Sequence, residues 1–216
     1  MTAPQTAETI PERLTGANST LLLTSSFTDE RHCTELLHPD DPAETNVLWV
    51  SYTKSPDQQL RRWREHTDER PAEMGIVSVE DSTRSVAAET GGSSGPGGPS
   101  LPETNAPIET VNSPNDLTGL GIRITEFLTD WDEKNDNRTV VCFDSLTALL
   151  QYVELETAYE FLHIITGRMA NTDAFAHFHM DPDAHDDQTV EIITSLMDGV
   201  VEVDASGEEH IRARKS

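Results

Sequence analysis

Hydrophobic residues along this chain fall into short, nearly unbroken runs separated by stretches with helical spacing. STLLLTS (Ser19–Ser25), NVLWVSY (Asn46–Tyr52), GIVSVE (Gly75–Glu80), TVVCFDSL (Thr139–Leu146) and AFAHFHM (Ala174–Met180) are such runs. Runs apolar on both faces belong to strands of a parallel sheet covered by helices. Between them lie helical patterns. Asp29–Leu37 reads as a helix opened by Thr28 as N-cap. In SPDQQLRRWREH, Ser55 caps, Pro56 takes the first helical position, and Leu60 and Trp63 share one face. Ser113 reads as the cap of a helix starting with Pro114 and running to about Lys134, with Leu117, Leu120, Ile124, Phe127, Leu128 and Trp131 as its apolar face. Two more helices follow, over about Glu154–Ala170 and Asp187–Met197. GVVEVD and HIRAR, joined by Ala205–Glu208, close the chain as an antiparallel hairpin.

Strands alternating with helices predict one α/β domain over residues 16–216, with a mainly parallel sheet flanked by helices and a C-terminal antiparallel hairpin. Residues 1–15 read as a flexible N-terminal segment. Residues 82–113 contain GGSSGPGGPSLPETNAP, too poor in apolar residues to support packing, and are expected to form a disordered insertion, a tolerated surface loop or a docking tether.

Charge changes the picture next. The chain has 39 acidic against 15 basic residues among 216, a formal charge of −24. Such a surface repels nucleic-acid phosphates and anionic membranes, so neither is an expected partner. Only Lys54, Lys134 and Lys215 are lysines, and the acidic residues are spread along the whole chain. This resembles cytosolic proteins of salt-accumulating halophilic archaea, whose surface charge is screened in concentrated salt. No apolar run reaches 18 residues and the N-terminus lacks the pattern of a secretory signal, so the expected location is the cytoplasm. Cys33 and Cys142, two cysteines far apart in sequence, suggest neither a disulfide scaffold nor a thiolate metal cluster and are expected to be free thiols in or near the core.

The order of these elements, with a strand ending in Asp144 at the middle, resembles the KaiC and RadA branch of the RecA-like P-loop ATPases, and within it small haloarchaeal members without an assigned role. NVLWVSYTKSPDQQLRRW is similar to the second core strand and its helix, TVVCFDSLTALLQYV to the Walker B strand, and DGVVEVDASGEEHIRARKS to the closing hairpin. The resemblance implies a RecA/KaiC-like fold and a nucleotide site built from Ser25, Arg31, His32 and Asp144, at the carboxyl ends of the strands.

That site departs from its motif. A phosphate-binding loop needs glycines whose backbone closes on phosphate, a lysine, and a hydroxyl for magnesium. The alignment puts Ser25 and Glu30 at the glycines, Arg31 at the lysine and His32 at the hydroxyl residue. A carboxylate at Glu30, about 4 Å from the ligand, opposes an anion by about 4 kcal/mol at an effective dielectric near 20. Where KaiC-like ATPases place two glutamates after the second strand, one of them the general base, this chain has Thr53 and Lys54. Neither takes a proton at neutral pH. Asp144 with Ser145 is what survives of the magnesium site.

The expectation is therefore a regulatory or scaffolding module with no catalytic residues and no bound cofactor, acting through a protein partner and through self-association. The alternative is a divergent ATP-binding or ATPase signalling protein in which Arg31 replaces the lysine and Asp144 holds magnesium. A second alternative is a metal-binding sensor. No resident metal is expected, and the residues that could hold one are Asp144 and the alternating set His177, His179 and Asp181 in HFHMDPDAHDD, which share one strand face.

Overall fold

A computed structural model describes residues 10–25, 31–37, 41–67, 69–80, 106–204 and 206–213. Eight strands form one sheet: β1 (Ser19–Thr24), β2 (Thr45–Ser51), β3 (Glu73–Val79), β4 (Ile108–Val111), β5 (Arg138–Asp144), β6 (Phe175–Met180), β7 (Gly199–Val203) and β8 (Glu209–Ala213). Their order is β4-β3-β2-β5-β6-β1-β7-β8, and every pairing is parallel except that of β7 with β8. The helices are α1 (Ile10–Arg13), α2 (Arg31–Leu37), α3 (Pro56–His66), α4 (Leu117–Lys134), α5 (Leu146–Leu149), α6 (Leu155–Asn171) and α7 (Asp187–Thr194). This is the expected mainly parallel, helix-flanked sheet with its C-terminal antiparallel hairpin.

Because side chains alternate along a strand, each apolar run supplies two cores at once. Leu21, Leu23, Leu48, Val50, Val141, Phe143, Ala176 and Phe178 pack against Leu120, Ile124 and Leu128 of α4 and Phe161, Leu162 and Ile165 of α6. The other face presents Leu22, Val47, Trp49, Val140, Cys142 and Phe175 to Ile10 and Leu14 around α1, Cys33 and Leu36 of α2, and Leu60 and Trp63 of α3. Trp49 and Trp63 meet edge to face, 5.6 Å between ring centroids. α3 starts as its sequence predicts: Ser55 accepts from the backbone of Gln58 while the Gln58 side chain accepts from the backbone of Ser55.

Three boundaries differ from expectation. β4 lies inside the stretch read as an insertion, because Ile108 and Val111 are buried and the strand pairs with β3, which composition alone hid. Residues 82–105 of that insertion lie outside the described residues. α4 begins at Leu117 with Asp116 as its cap; Ser113 instead accepts from the Asp116 backbone, closing the turn just before the helix. Within the 1–15 segment, residues from Ile10 onward form α1 and bury Ile10 and Leu14. Thr28, the expected cap of α2, falls outside the described residues. Among the described residues no helix is long and apolar enough to cross a membrane.

Candidate functional site

In an open parallel sheet, ligands settle at the carboxyl ends of the strands, where connections diverge to the two sides. Here those ends are Ser25 after β1, Ser51–Lys54 after β2, Asp144 at the end of β5, and Asp181 after β6. Parallel pairing sets Ser51 opposite Asp144. The chain then bends away from β2, with the Lys54 backbone donating to Ser51 Oγ at 2.9 Å and the Tyr52 backbone donating to the Asp144 carbonyl at 2.7 Å. This bend carries Thr53 and Lys54 onto the Asp144 carboxylate. Lys54 Nζ donates to Oδ2 at 2.6 Å and Thr53 Oγ1 donates to the same oxygen at 2.9 Å. The Asp144 side chain is 6% exposed and that of Lys54 26%. Burial pushes the Asp144 carboxyl up, but the charges of His179 and Lys54 and the hydrogen bonds from Lys54 and Thr53 hold it below its ordinary value.

The other residues of the expected nucleotide site follow β1 or belong to α2. Ser25 is half-buried in a bend past β1, and residues 26–30, including Glu30, lie outside the described residues. Arg31 opens α2. His32 is buried, with Nε2 2.9 Å from Glu209 Oε1 on β8, so it is engaged by the closing hairpin. Among the described residues, no hydrogen bond or ion pair joins His32 to Asp144.

A second cluster lies beside Asp144 on the face covered by α1, α2 and α3. β6 aligns His177 with Cys142 of β5, and the two-residue period puts His179 on the same side, its ring centroid 5.2 Å from that of His177. Cys33 descends from α2. Its Sγ lies 3.2 Å from His177 Nε2 and 3.6 Å from Cys142 Sγ, and Cys142 Sγ lies 3.5 Å from His179 Nε2. Both cysteines are free and buried, as expected, but they are neighbours across 109 positions of sequence.

These four groups polarise one another. Burial raises the Cys33 thiol, yet its hydrogen bond with Cys142 and the nearby His179 and His177 bring it well below its usual value. Cys142, buried beside that sulfur, is pushed well above. Burial pulls both imidazoles down; His177 stays low, whereas Cys33 and Asp144 lift His179 above its usual value. Asp181, expected to share a metal with His177 and His179, is absent from the cluster because β6 ends at Met180 and the chain turns. Its carboxylate accepts from the Asp183 backbone at 3.0 Å and its own backbone donates to Thr147 Oγ1 at 2.9 Å. The alternation of HFHM puts the two histidines together, whereas nothing in the spacing of Cys33 and Cys142 brings the two thiols to them. The alternation of TVVCFD placed Cys142 on one defined face, but only the strand order shows that this face meets His177.

No curated protein matches the chain. Among solved structures, it is similar to PH0250 from Pyrococcus horikoshii OT3, with 9% identity, a TM-score of 0.57, and coverage of 92% of this chain and 87% of that one. It is also similar to the uncharacterized protein PH0321 from Pyrococcus horikoshii, solved in complex with an unknown peptide, with 11% identity, a TM-score of 0.56, and coverage of 93% and 85%. These likenesses concern the fold. The model of a family of unknown function, DUF7504, matches residues 18–203, and the chain belongs to that family.

Proposed function

We propose that this chain is a RecA/KaiC-like module that does not turn over nucleotide and acts as a regulatory or scaffolding partner of other proteins, in the cytoplasm of a halophilic archaeon. The observation that carries the reading is the Lys54–Asp144 contact of 2.6 Å. In an active relative that carboxylate serves magnesium. Here the chain supplies its own cation, and a magnesium ion entering would have to displace a charge-assisted hydrogen bond and leave an ammonium beside a dication. Thr53 and Lys54 also stand where a general base is needed, and both donate to Asp144, so neither is placed to take a proton from water.

A surface suited to a partner supports the reading. α4 and α6 leave between them a groove of about 1090 Å³. Ile122 (52% exposed) and Ile164 (61% exposed) line it, and its charged lining is mostly acidic, with Glu109, Glu126, Asp130, Glu133 and Glu160 against Arg168. An apolar floor with an acidic rim fits an amphipathic helix with basic flanks. The peptide bound by the similar protein PH0321 is consistent with peptide recognition by this fold.

The test is calorimetric titration of ATP with magnesium into the protein in molar KCl, together with a hydrolysis assay. The expected result is no saturable binding at submillimolar nucleotide and no phosphate release. Submillimolar binding supports the divergent nucleotide sensor that uses Arg31 and Asp144, and measurable hydrolysis overturns the proposal.

A further inference from the structure

Four soft donors from three elements meet in one place: Cys33 of α2, Cys142 of β5, and His177 and His179 of β6, with their ligand atoms all within 4.8 Å of one another. We infer that this quartet is a transition-metal site, a tetrahedral Cys2His2 centre for zinc that fastens α2 to the sheet. The inference goes beyond the scaffold reading and does not depend on it.

The spacing is that of ligands around an ion. A tetrahedron with Zn–S of about 2.3 Å and Zn–N of about 2.0–2.1 Å has edges of about 3.8 Å between sulfurs and about 3.6 Å between sulfur and nitrogen. The contacts are 3.6 Å for Sγ to Sγ, and 3.2 and 3.5 Å for Sγ to Nε2. A disulfide requires about 2.05 Å between sulfurs, and these thiols are free. Separate thiol–imidazole and thiol–thiol hydrogen bonds would account for these contacts one at a time. Around a metal that sulfur–sulfur approach is one of the six edges.

Charge and donor type agree. Two thiolates cancel a dication, and two neutral imidazoles complete the shell, so the loaded site is neutral and suits a low-dielectric interior. Neutrality also matters because Arg62, the buried guanidinium that acts on Cys142, His177 and His179, would oppose a net positive complex. No oxygen belongs to the quartet, which disfavours magnesium and calcium, and two sulfurs with two nitrogens in tetrahedral array are a zinc set. Cys33, Cys142 and His177 are buried while His179 is partly exposed, so an ion reaches the site from the His179 side. Among the described residues His177 Nδ1 has no hydrogen-bond partner, and Nε2 is the nitrogen that faces Cys33. Binding would close chain segments of 109 and 144 residues through one ion.

The test uses the full chain stripped of metal by a chelator under reducing conditions, in molar KCl, and titrated with cobalt(II) and then zinc. One equivalent of cobalt is expected to give the visible absorption of a tetrahedral ion and the near-ultraviolet charge transfer of thiolate ligation, both lost as zinc displaces it. Cys33→Ser and Cys142→Ser should each weaken zinc binding beyond the roughly ten- to hundredfold typical of an outer-shell change, and Asp181→Asn should leave it unchanged. If stripping or substitution unfolds the chain, elemental analysis of the intact protein from zinc-supplemented cells replaces the titration, with one zinc per chain expected. Cobalt bound without thiolate charge transfer, zinc binding that survives loss of both cysteines, or intact protein without zinc would overturn the assignment.

Discussion

Asp144 and Cys142 stand two residues apart on β5 and meet opposite circumstances. The carboxylate accepts from a cation that belongs to the chain, Lys54, while the thiol lies against Cys33 and His179. At the first site an incoming ion would have to compete with an ammonium. The second holds four groups whose mutual approach is most economically explained by an ion among them. On the two proposals made above, the sites differ because hard oxygen ligands and soft sulfur and nitrogen ligands answer to different partners.

The largest expected effect lies at the quartet. Zinc at a thousandfold excess over its dissociation constant should stabilise the wild-type chain by about 4 kcal/mol. That gain should vanish in a Cys33→Ser, Cys142→Ser double variant and persist in Asp144→Asn, as thermal melts with and without zinc would show. Loss of the gain in Asp144→Asn would mean that the two regions form one site.

Lys54→Met comes next. Removing one partner of a buried ion pair costs about 3–5 kcal/mol, and the partial exposure of Lys54 lowers the expected cost to about 2–3 kcal/mol, or roughly 4–12 °C in Tm for a chain of this size. Lys54→Met combined with Asp144→Asn should recover part of the loss, since no unpaired carboxylate is left behind. Thr53→Ala should cost about 1 kcal/mol, the worth of one hydrogen bond. Equal costs for Thr53→Ala and Lys54→Met in chemical denaturation would contradict the view that the ammonium dominates this site.

A smaller and more diffuse effect is expected from salt. With a formal charge of −24, raising KCl from 0.1 to about 1 M shortens the Debye length from about 10 to about 3 Å and should raise Tm. Two of the three lysines, Lys54 and Lys134, are in ion pairs, with Asp144 and Glu73. The Lys134–Glu73 pair is more exposed than the Lys54–Asp144 pair, so salt should weaken it while leaving the Lys54→Met cost nearly unchanged. A Lys54→Met cost that disappears in molar KCl would show that the Asp144 site is open to solvent. The smallest effect on stability belongs to Ile164→Glu on the α4–α6 groove, within about 0.5 kcal/mol, whereas binding of a basic amphipathic peptide to that groove should be lost.

The sequence carried the strands and most helices because local chemistry specifies them. STLLLT and TVVCFD have little freedom to be anything but buried strands, and Ser55-Pro56 with Gln58 starts α3 by its own hydrogen bonds. β4 escaped notice because its four residues follow a Gly, Pro and Ser-rich stretch, and its stability comes from pairing with β3. The start of α4, expected at Pro114 behind Ser113, falls at Leu117 because the Asp116 carboxylate accepts from the Gly119 backbone. The two sites were half legible. Asp144, His177 and His179 stood out by position, but Lys54 lies 90 positions from Asp144 and Cys33 lies 144 from His177. Such neighbours are made by the β4-β3-β2-β5-β6-β1 strand order, which no local pattern encodes.

The most direct test of the internal cation at Asp144 is a crystal structure grown with magnesium and a non-hydrolysable ATP analogue in high salt. The account predicts Lys54 Nζ still on the Asp144 carboxylate, with no metal and no triphosphate at the carboxyl ends of β1, β2 and β5. Magnesium ligated by Asp144, with phosphates held by the turn that follows β1, would contradict it.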